Sequence, residues 1–235
     1  MRTTILIFAF TILLANSYAQ SGDQVLQVKS TKDFQITGNG SNPLWKQANW
    51  VKLESSVADN RLTHVKLLYS ETGIYFLFQN RDSIITSSRY KHFEKLWLED
   101  VVEVFLWPDT TATLYFEYEL SPRNYELPLM VPNFDGNFMG WLPWNYEGSR
   151  RIKHFTHVVS RRGSGESVIT EWFAEFFIPF QLLNPLRNVP PKPGSVWKAN
   201  MYRIDYDTPT PVLWYWCKTE SNFHQYTKFG TLKFE

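Results

Sequence analysis

Residues 63–79 read Thr63-His-Val-Lys-Leu-Leu-Tyr69-Ser-Glu-Thr-Gly73-Ile-Tyr-Phe-Leu-Phe-Gln79. In the first seven, Thr63, Val65, Leu67 and Tyr69 alternate with His64 and Lys66, the period of a strand with one buried face. Ser70 to Gly73 supply turn chemistry, and Ile74 to Gln79 returns as a second run of β-branched and aromatic residues. The pair predicts a β-hairpin. Working outward, similar runs stand at residues 101–107, 114–121, 152–160, 168–178, 196–206 and 229–234, with Arg162-Gly163-Ser164-Gly165 as the turn between two of them. Residues 179–183 alone read as a helical turn, stopped by Asn184-Pro185. Eight or more strands, sparse helix and no repeated block predict an all-β fold: a single antiparallel β-sandwich or jelly roll with long loops and little helix.

Composition narrows the function classes. The chain has 235 residues, enough for one sizeable domain, and 43% are hydrophobic. Lys plus Arg number 24 against 23 Asp plus Glu, a formal charge of +1, so the basic excess that marks a nucleic-acid partner is missing. Only 20% of residues are charged, which excludes disorder for the bulk of the chain. The unusual quantity is 18 Phe, 12 Tyr and 10 Trp. Strand propensity accounts for part of it, and ring-stacking recognition is the other source of such a bias.

Arg2, an apolar run from Ile5 to Leu14 and the small-x-small site Ser17-Tyr18-Ala19 predict a secretory signal cut after Ala19, with an uncleaved anchor as the alternative. Ten apolar residues are too few for the ~20 of a bilayer span, so the mature chain, residues 20–235, is expected to have no membrane span. Export leads to the periplasm, the cell surface or the medium. Cys217 stands alone, which excludes an intramolecular disulfide and a Cys-based metal site. Residues 133–147 differ from their surroundings: a long loop carrying Phe134, Phe138, Trp141, Trp144 and Tyr146. Such loops either carry function or seal a sheet.

At Trp97-Leu-Glu-Asp100-Val-Val-Glu103-Val-Phe105 the pattern Trp-x-x-Asp-x-Val-Glu-x-Phe resembles the central motif of carbohydrate-binding module family 9 and its relatives. Further segments resemble that family in the same order. They are Leu44-Trp45-Lys-Gln-Ala48, the hairpin within residues 65–82, the Ile-Pro strand end at residues 172–179, Pro193-Gly194-Ser-Val-Trp197-Lys-Ala-Asn200 with Arg203 and Asp205, and Phe223-His224 through Leu232. The resemblance implies a jelly-roll sandwich that binds an oligo- or polysaccharide without cleaving it. Two tryptophans would clamp a sugar ring, polar groups would hold its hydroxyls, and calcium would be a possible loop-bracing ion. Trp97 matches the first clamp ring. The second falls on Phe223, a departure from the pattern, and a basic residue of the family falls near Glu117 or Glu119. Calcium ligands cannot be placed by motif. Some related sandwiches bind haem through Met with His or Lys, but no spacing marks Met130, Met139, Met201, His92, His154 or His157 for that role.

The residues themselves lead to similar chemistry. A sugar presents apolar C–H faces and a rim of hydroxyls, so its site needs a flat ring beside charged or amide groups. Period two groups Glu103 with Val101 and Phe105, Glu117 with Glu119, and Arg203 with Met201 and Asp205. Carboxylates and a guanidinium within apolar strands must pair with one another or line a groove. The candidate ligand-binding set is therefore Trp97, Asp100, Glu103, Glu119, Trp141, Trp144, Arg203 and Phe223. A buried pair is the competing reading for Arg203, a core ring for Trp97, a turn cap for Asp100, and a structural hydrogen bond for His224. Trp214 and Trp216 flank Tyr215 in the manner of a strand with one buried face. No Gly-x-Ser-x-Gly elbow, His-Glu-x-x-His helix or Walker loop is present. The enzymatic alternative is a glycosidase using Glu103 and Glu117, which requires their strands to be neighbours. A structural or interaction module with its rings buried is the third class.

Overall fold

The 63–79 hairpin forms where it was read. In a computed structural model that describes residues 24–58, 60–162 and 167–235, β3 (Thr63–Tyr69) and β4 (Gly73–Arg81) pair antiparallel with Tyr69 opposite Ile74. Gly73 sits where a side chain would collide with the ring of Phe177, 2.4 Å from an added Cβ. The expected signal at residues 1–19 and the expected turn at 163–165 lie outside the described residues.

The full strand order, counting β3 and β4, begins with β1 (Val25–Ser30) and β2 (Val51–Ser55). It continues with β5 (Val101–Trp107), β6 (Leu114–Leu120), β7 (Glu126–Phe134), the two-residue β8 (Asn137–Phe138) and β9 (Leu142–Pro143), then β10 (Lys153–Arg162) and β11 (Ser167–Pro179). β12 (Val196–Asp205), β13 (Val212–Tyr215) and β14 (Gly230–Phe234) close the series. Among the described residues helix is confined to short 3-10 turns, among them Phe180–Leu183 where the helical turn was expected. Among the described residues no helix is long and apolar enough to cross a membrane.

Two layers result. One runs β10-β11-β4-β3, the other β14-β12-β5-β6-β7, and β1 joins them by pairing parallel with both β3 and β14. Between the layers lies the main core. Phe76, Phe78, Trp172 and Phe176 come from the first layer, and Val104, Leu106, Phe116, Tyr118, Trp197 and Met201 from the second. Trp214 and Trp216 are both buried in it. Met130 and Met201 are packing residues here too. The architecture is the all-β sandwich that the strand count predicted.

β7 was not legible because Pro128 and Pro132 argue against a strand interior. Both are accommodated at the outer edge of β7, where their carbonyls accept from Trp144 N–H at 2.8 Å and Met139 N–H at 3.0 Å. A residue's N–H and C=O point to the same side of a strand, so the missing proline N–H groups face this loosely paired edge rather than β6. β1 and β2 escaped notice because they are short and partly exposed, whereas β13 lies where Trp214 and Trp216 flank Tyr215.

Candidate functional site

The outer face of the second layer is apolar where solvent would be expected. Period two sets Val101, Glu103 and Phe105 of β5 on it, with Tyr115, Glu117 and Glu119 of β6, Leu127 and Leu129 of β7, and Tyr202 and Ile204 of β12. The register puts Glu103 opposite Glu119 and Phe105 opposite Glu117. Three segments lie over this face: the 3-10 turn Leu96–Leu98, the 137–141 stretch, and residues 223–229 before β14. They leave a pocket of about 270 Å³ whose rings are Trp97, Trp141, Phe138, Phe223 and His224 and whose floor carries Glu103, Glu117 and Glu119.

The ring positions are fixed by packing. Trp97 and Trp141 meet edge to face with centroids 5.3 Å apart. Phe223 lies flat on Tyr202 at 3.9 Å, and its carbonyl accepts from Tyr202 Oη at 3.0 Å. Phe138 stacks on His224 at 4.0 Å, and His224 in turn lies over Phe105. Tyr115 Oη and His224 Nδ1 share a 2.8 Å hydrogen bond. Burial pushes the His224 pKa down to about 4, so the imidazole is neutral at physiological pH.

The floor is the chemically distinctive part. Glu103, Glu117 and Glu119 are at most 3% exposed. Among the described residues, neither Glu119 oxygen nor Glu117 Oε2 has a hydrogen-bond partner. Burial pushes the Glu103 pKa up to about 8. Burial, reinforced by the neighbouring carboxylates, drives Glu117 and Glu119 well above the ordinary carboxylate range. At neutral pH the floor is a set of protonated carboxyls, each able to donate one hydrogen bond and accept others. Unmet polar capacity under a ring of aromatic side chains suits a polyhydroxylated ligand.

A larger cleft of about 620 Å³ opens elsewhere, beside Phe177 and Phe180. Its charged side chains, Glu71, Arg151 and Lys153, are exposed to solvent, and none of its lining atoms is left buried without a partner. The smaller pocket is therefore the candidate site.

The chain was compared with known proteins. Residues 36–128 match the family described as carbohydrate family 9 binding domain-like. The matched stretch is similar to that family and covers less than half of the chain. It takes in Trp97, Glu103 and Glu119 and stops before Trp141 and Phe223. No curated protein matches the chain. Among solved structures, a candidate carbohydrate-binding protein from Bacteroides uniformis ATCC 8492 has a similar fold at TM-score 0.70 and 16% identity, with 91% of this chain and 100% of that one covered. A family 9 carbohydrate-binding module from Caldicellulosiruptor kristjanssonii in complex with cellotriose gives TM-score 0.59 at 13% identity, covering 90% and 94%. The same module in complex with glucose gives 0.59 at 14%, covering 90% and 96%. At these identities the likeness is one of fold.

Of the eight residues singled out from sequence, the fold gathers Trp97, Glu103, Glu119, Trp141 and Phe223 around one pocket. The other three lie elsewhere. Asp100 is buried and accepts from Thr86 N–H at 2.6 Å and Tyr206 N–H at 2.8 Å, a loop-bracing role; burial lifts its pKa to about 7 against those two donors. Trp144 packs against the main core and donates from Nε1 to Leu182 O at 2.9 Å. Arg203 points into the sandwich, where Nη2 reaches Asp82 at 2.8 Å and Asp205 at 2.6 Å, and it sits 4.5 Å over the Trp214 ring. Sequence reasoning missed Phe138 as a pocket residue, whose role depends on the 133–147 segment folding back on β7, and Leu129 and Ile204, which alternation alone could have added once β7 and β12 were aligned.

Family resemblance raises calcium as a loop-bracing ion. The oxygen-rich group among the described residues is Asp82, Asp205 and Asp207. Arg203 already contacts Asp82 and Asp205, and Arg61 contacts Asp205 at 2.8 Å and Asp207 at 3.3 Å. Two guanidiniums neutralise these carboxylates, so the cluster does not fit calcium.

Proposed function

We propose that the protein is an exported, non-catalytic carbohydrate-binding module that holds a saccharide in the pocket beneath Trp97 and Trp141. The observation that carries this reading is the floor: buried carboxyls with unmet hydrogen-bonding capacity, roofed by five rings. Trp97 or Trp141 stacks on the apolar face of a pyranose, Phe223 takes the position opposite, and Glu103 and Glu119 bond the hydroxyls. Stacking contributes only ~1 kcal/mol beyond area burial, so affinity is weak. The signal at residues 1–19 and the sugar-binding fold together suit a periplasmic or cell-surface role in polysaccharide use. Glucose and cello-oligosaccharides, the ligands of the Caldicellulosiruptor module, are the first to test.

Glycoside hydrolysis is the alternative that a carboxylate cluster raises, and β5 and β6 are neighbours as it requires. Hydrolysis needs one carboxyl protonated and its partner ionised. Here burial raises all three, which favours protonated, hydrogen-bond-donating carboxyls over an ionised nucleophile or base.

The test is tryptophan fluorescence of the mature protein titrated with a panel of oligosaccharides, with aryl-glycoside hydrolysis followed in parallel. A saturable change for one sugar class, lost in Trp97→Ala with the fold intact by circular dichroism, is the expected result. A flat response across the panel from folded protein, or turnover of an aryl glycoside that Glu119→Gln abolishes, overturns the reading.

A further inference from the structure

Away from the sugar pocket, His92, Glu126 and His154 converge from three separate segments: the loop before β5, the start of β7 and the start of β10. One ligand atom from each lies within 4.8 Å of the others. His92 Nδ1 is 3.9 Å from Glu126 Oε1, and His154 Nε2 is 3.5 Å from Glu126 Oε2. Neither is the 2.7–2.9 Å of a charge-assisted hydrogen bond. Ligand atoms about 2.0–2.2 Å from one tetrahedral ion lie roughly 3.3–3.6 Å from each other, so a small closure suffices.

The donor chemistry is set by the surroundings. His154 Nδ1 is 2.8 Å from Asn124 Oδ1, which only accepts, so Nδ1 carries a proton and Nε2 is the nitrogen turned toward Glu126. His92 Nδ1 accepts from Glu126 N–H at 3.3 Å, a long contact that holds its one lone pair beside the carboxylate and that a bound ion would replace. Tyr118 Oη donates to Glu126 Oε2 at 3.0 Å, and Tyr146 Oη donates to Oε1. Such outer partners fix the orientation of a ligating carboxylate. The His92 side chain is 47% exposed and Glu126 5%, which leaves a solvent-facing side for entry and for a water ligand. Phe93 and Asn124, both at left-handed φ near 65°, turn the flanking loops so that the three groups meet.

We propose that His92, Glu126 and His154 form a binding site for a single divalent transition-metal ion of the zinc class. Two imidazoles and one carboxylate with an open position suit zinc or cobalt and not calcium, which takes oxygen ligands. The site joins β10 of the first layer to β7 of the second, so an ion there clasps the two layers at one end.

The test is calorimetric titration of the mature protein with ZnCl2 at pH 7.5, paired with thermal unfolding with and without EDTA. One equivalent should bind, and at 100-fold excess over Kd the melting temperature should rise by roughly 5–10 °C. His92→Ala, on an exposed side chain, should fold normally and lose the binding. Asn124→Gly keeps the left-handed turn while removing the amide, and should weaken binding about 10-fold. His157→Ala, on the same strand but exposed and outside the cluster, should leave it unchanged. Absence of a stoichiometric binding isotherm, or an isotherm that survives His92→Ala, overturns the proposal.

Discussion

Glu103 and Glu119 stand opposite each other across the β5–β6 ladder, both buried, with neither Glu119 oxygen hydrogen bonded. Like charges directly opposite on neighbouring strands are destabilising, and burial without partners adds desolvation. The fold tolerates the pair because the raised pKa values keep the protons on. The same arrangement leaves the pocket floor hungry for hydrogen bonds, which links its energetic cost to its proposed use.

That relationship makes stability depend on pH. An unperturbed glutamate releases its proton near 4.5, whereas folded Glu103 holds its proton up to about 8. The unfolded chain is thus favoured as pH rises between those values. Stability from these groups is full below about pH 4.5 and lost as pH approaches 8, by something on the order of 2–5 kcal/mol. Thermal unfolding of the mature protein should give a melting temperature higher at pH 5 than at pH 8. Glu119→Gln should flatten that slope and raise the pH 8 value.

How much of this was legible in the sequence follows from what each residue depends on. Alternation at 63–79 and at Val101–Trp107 needs only local chemistry, and both strands appear where they were read. Glu103 and Glu119 could be assigned to strand faces by the same rule. Arg203 could not be told from a groove residue, because its partner Asp82 is 121 positions away. Trp141 and Trp144 share one segment, yet one roofs the pocket and the other braces the core. That division is set by how the chain crosses β7, which no local pattern encodes.

Arg203 gives a test of that distinction. Its guanidinium holds Asp82 and Asp205, accepts no solvent and also donates to Arg81 O at 2.9 Å. Arg203→Met leaves two carboxylates buried beside each other and should cost about 3–5 kcal/mol in chemical denaturation. Saccharide affinity of the folded fraction should stay within twofold, because Arg203 lies on the opposite face of β12 from the pocket residues Tyr202 and Ile204 contact.

Glu175 is a second buried anchor that the sequence did not reveal. It accepts from Thr37 N–H at 2.9 Å, Gly38 N–H at 2.6 Å, Gly40 N–H at 3.1 Å and Trp45 Nε1 at 2.7 Å, tying residues 37–45 to β11. Gly38 is at φ +86, and an added Cβ would fall 2.8 Å from Phe155 Cβ, so the loop needs glycine there. Glu175→Ala strands several donors at once and should cost on the order of 3 kcal/mol or more. Limited proteolysis should then cut first within residues 37–45, with saccharide binding retained by the intact remainder.

Trp141 and Trp144 should separate binding from stability. Trp141 is 36% exposed and meets Trp97 at the pocket mouth. Its truncation removes a stacking surface without opening the core, so Trp141→Ala should weaken saccharide binding at least ~5-fold with melting nearly unchanged, given ~1 kcal/mol for such a ring contact. Trp144 packs against the inter-layer core, donates to Leu182 O, and lies under Arg150 at 5.5 Å. Trp144→Ala should cost about 2–4 kcal/mol and leave affinity within twofold. Calorimetric titration and denaturant unfolding of both variants measure the two quantities separately. The reverse pattern, binding lost in Trp144→Ala and stability lost in Trp141→Ala, would move the sugar to the far side of the 133–147 segment.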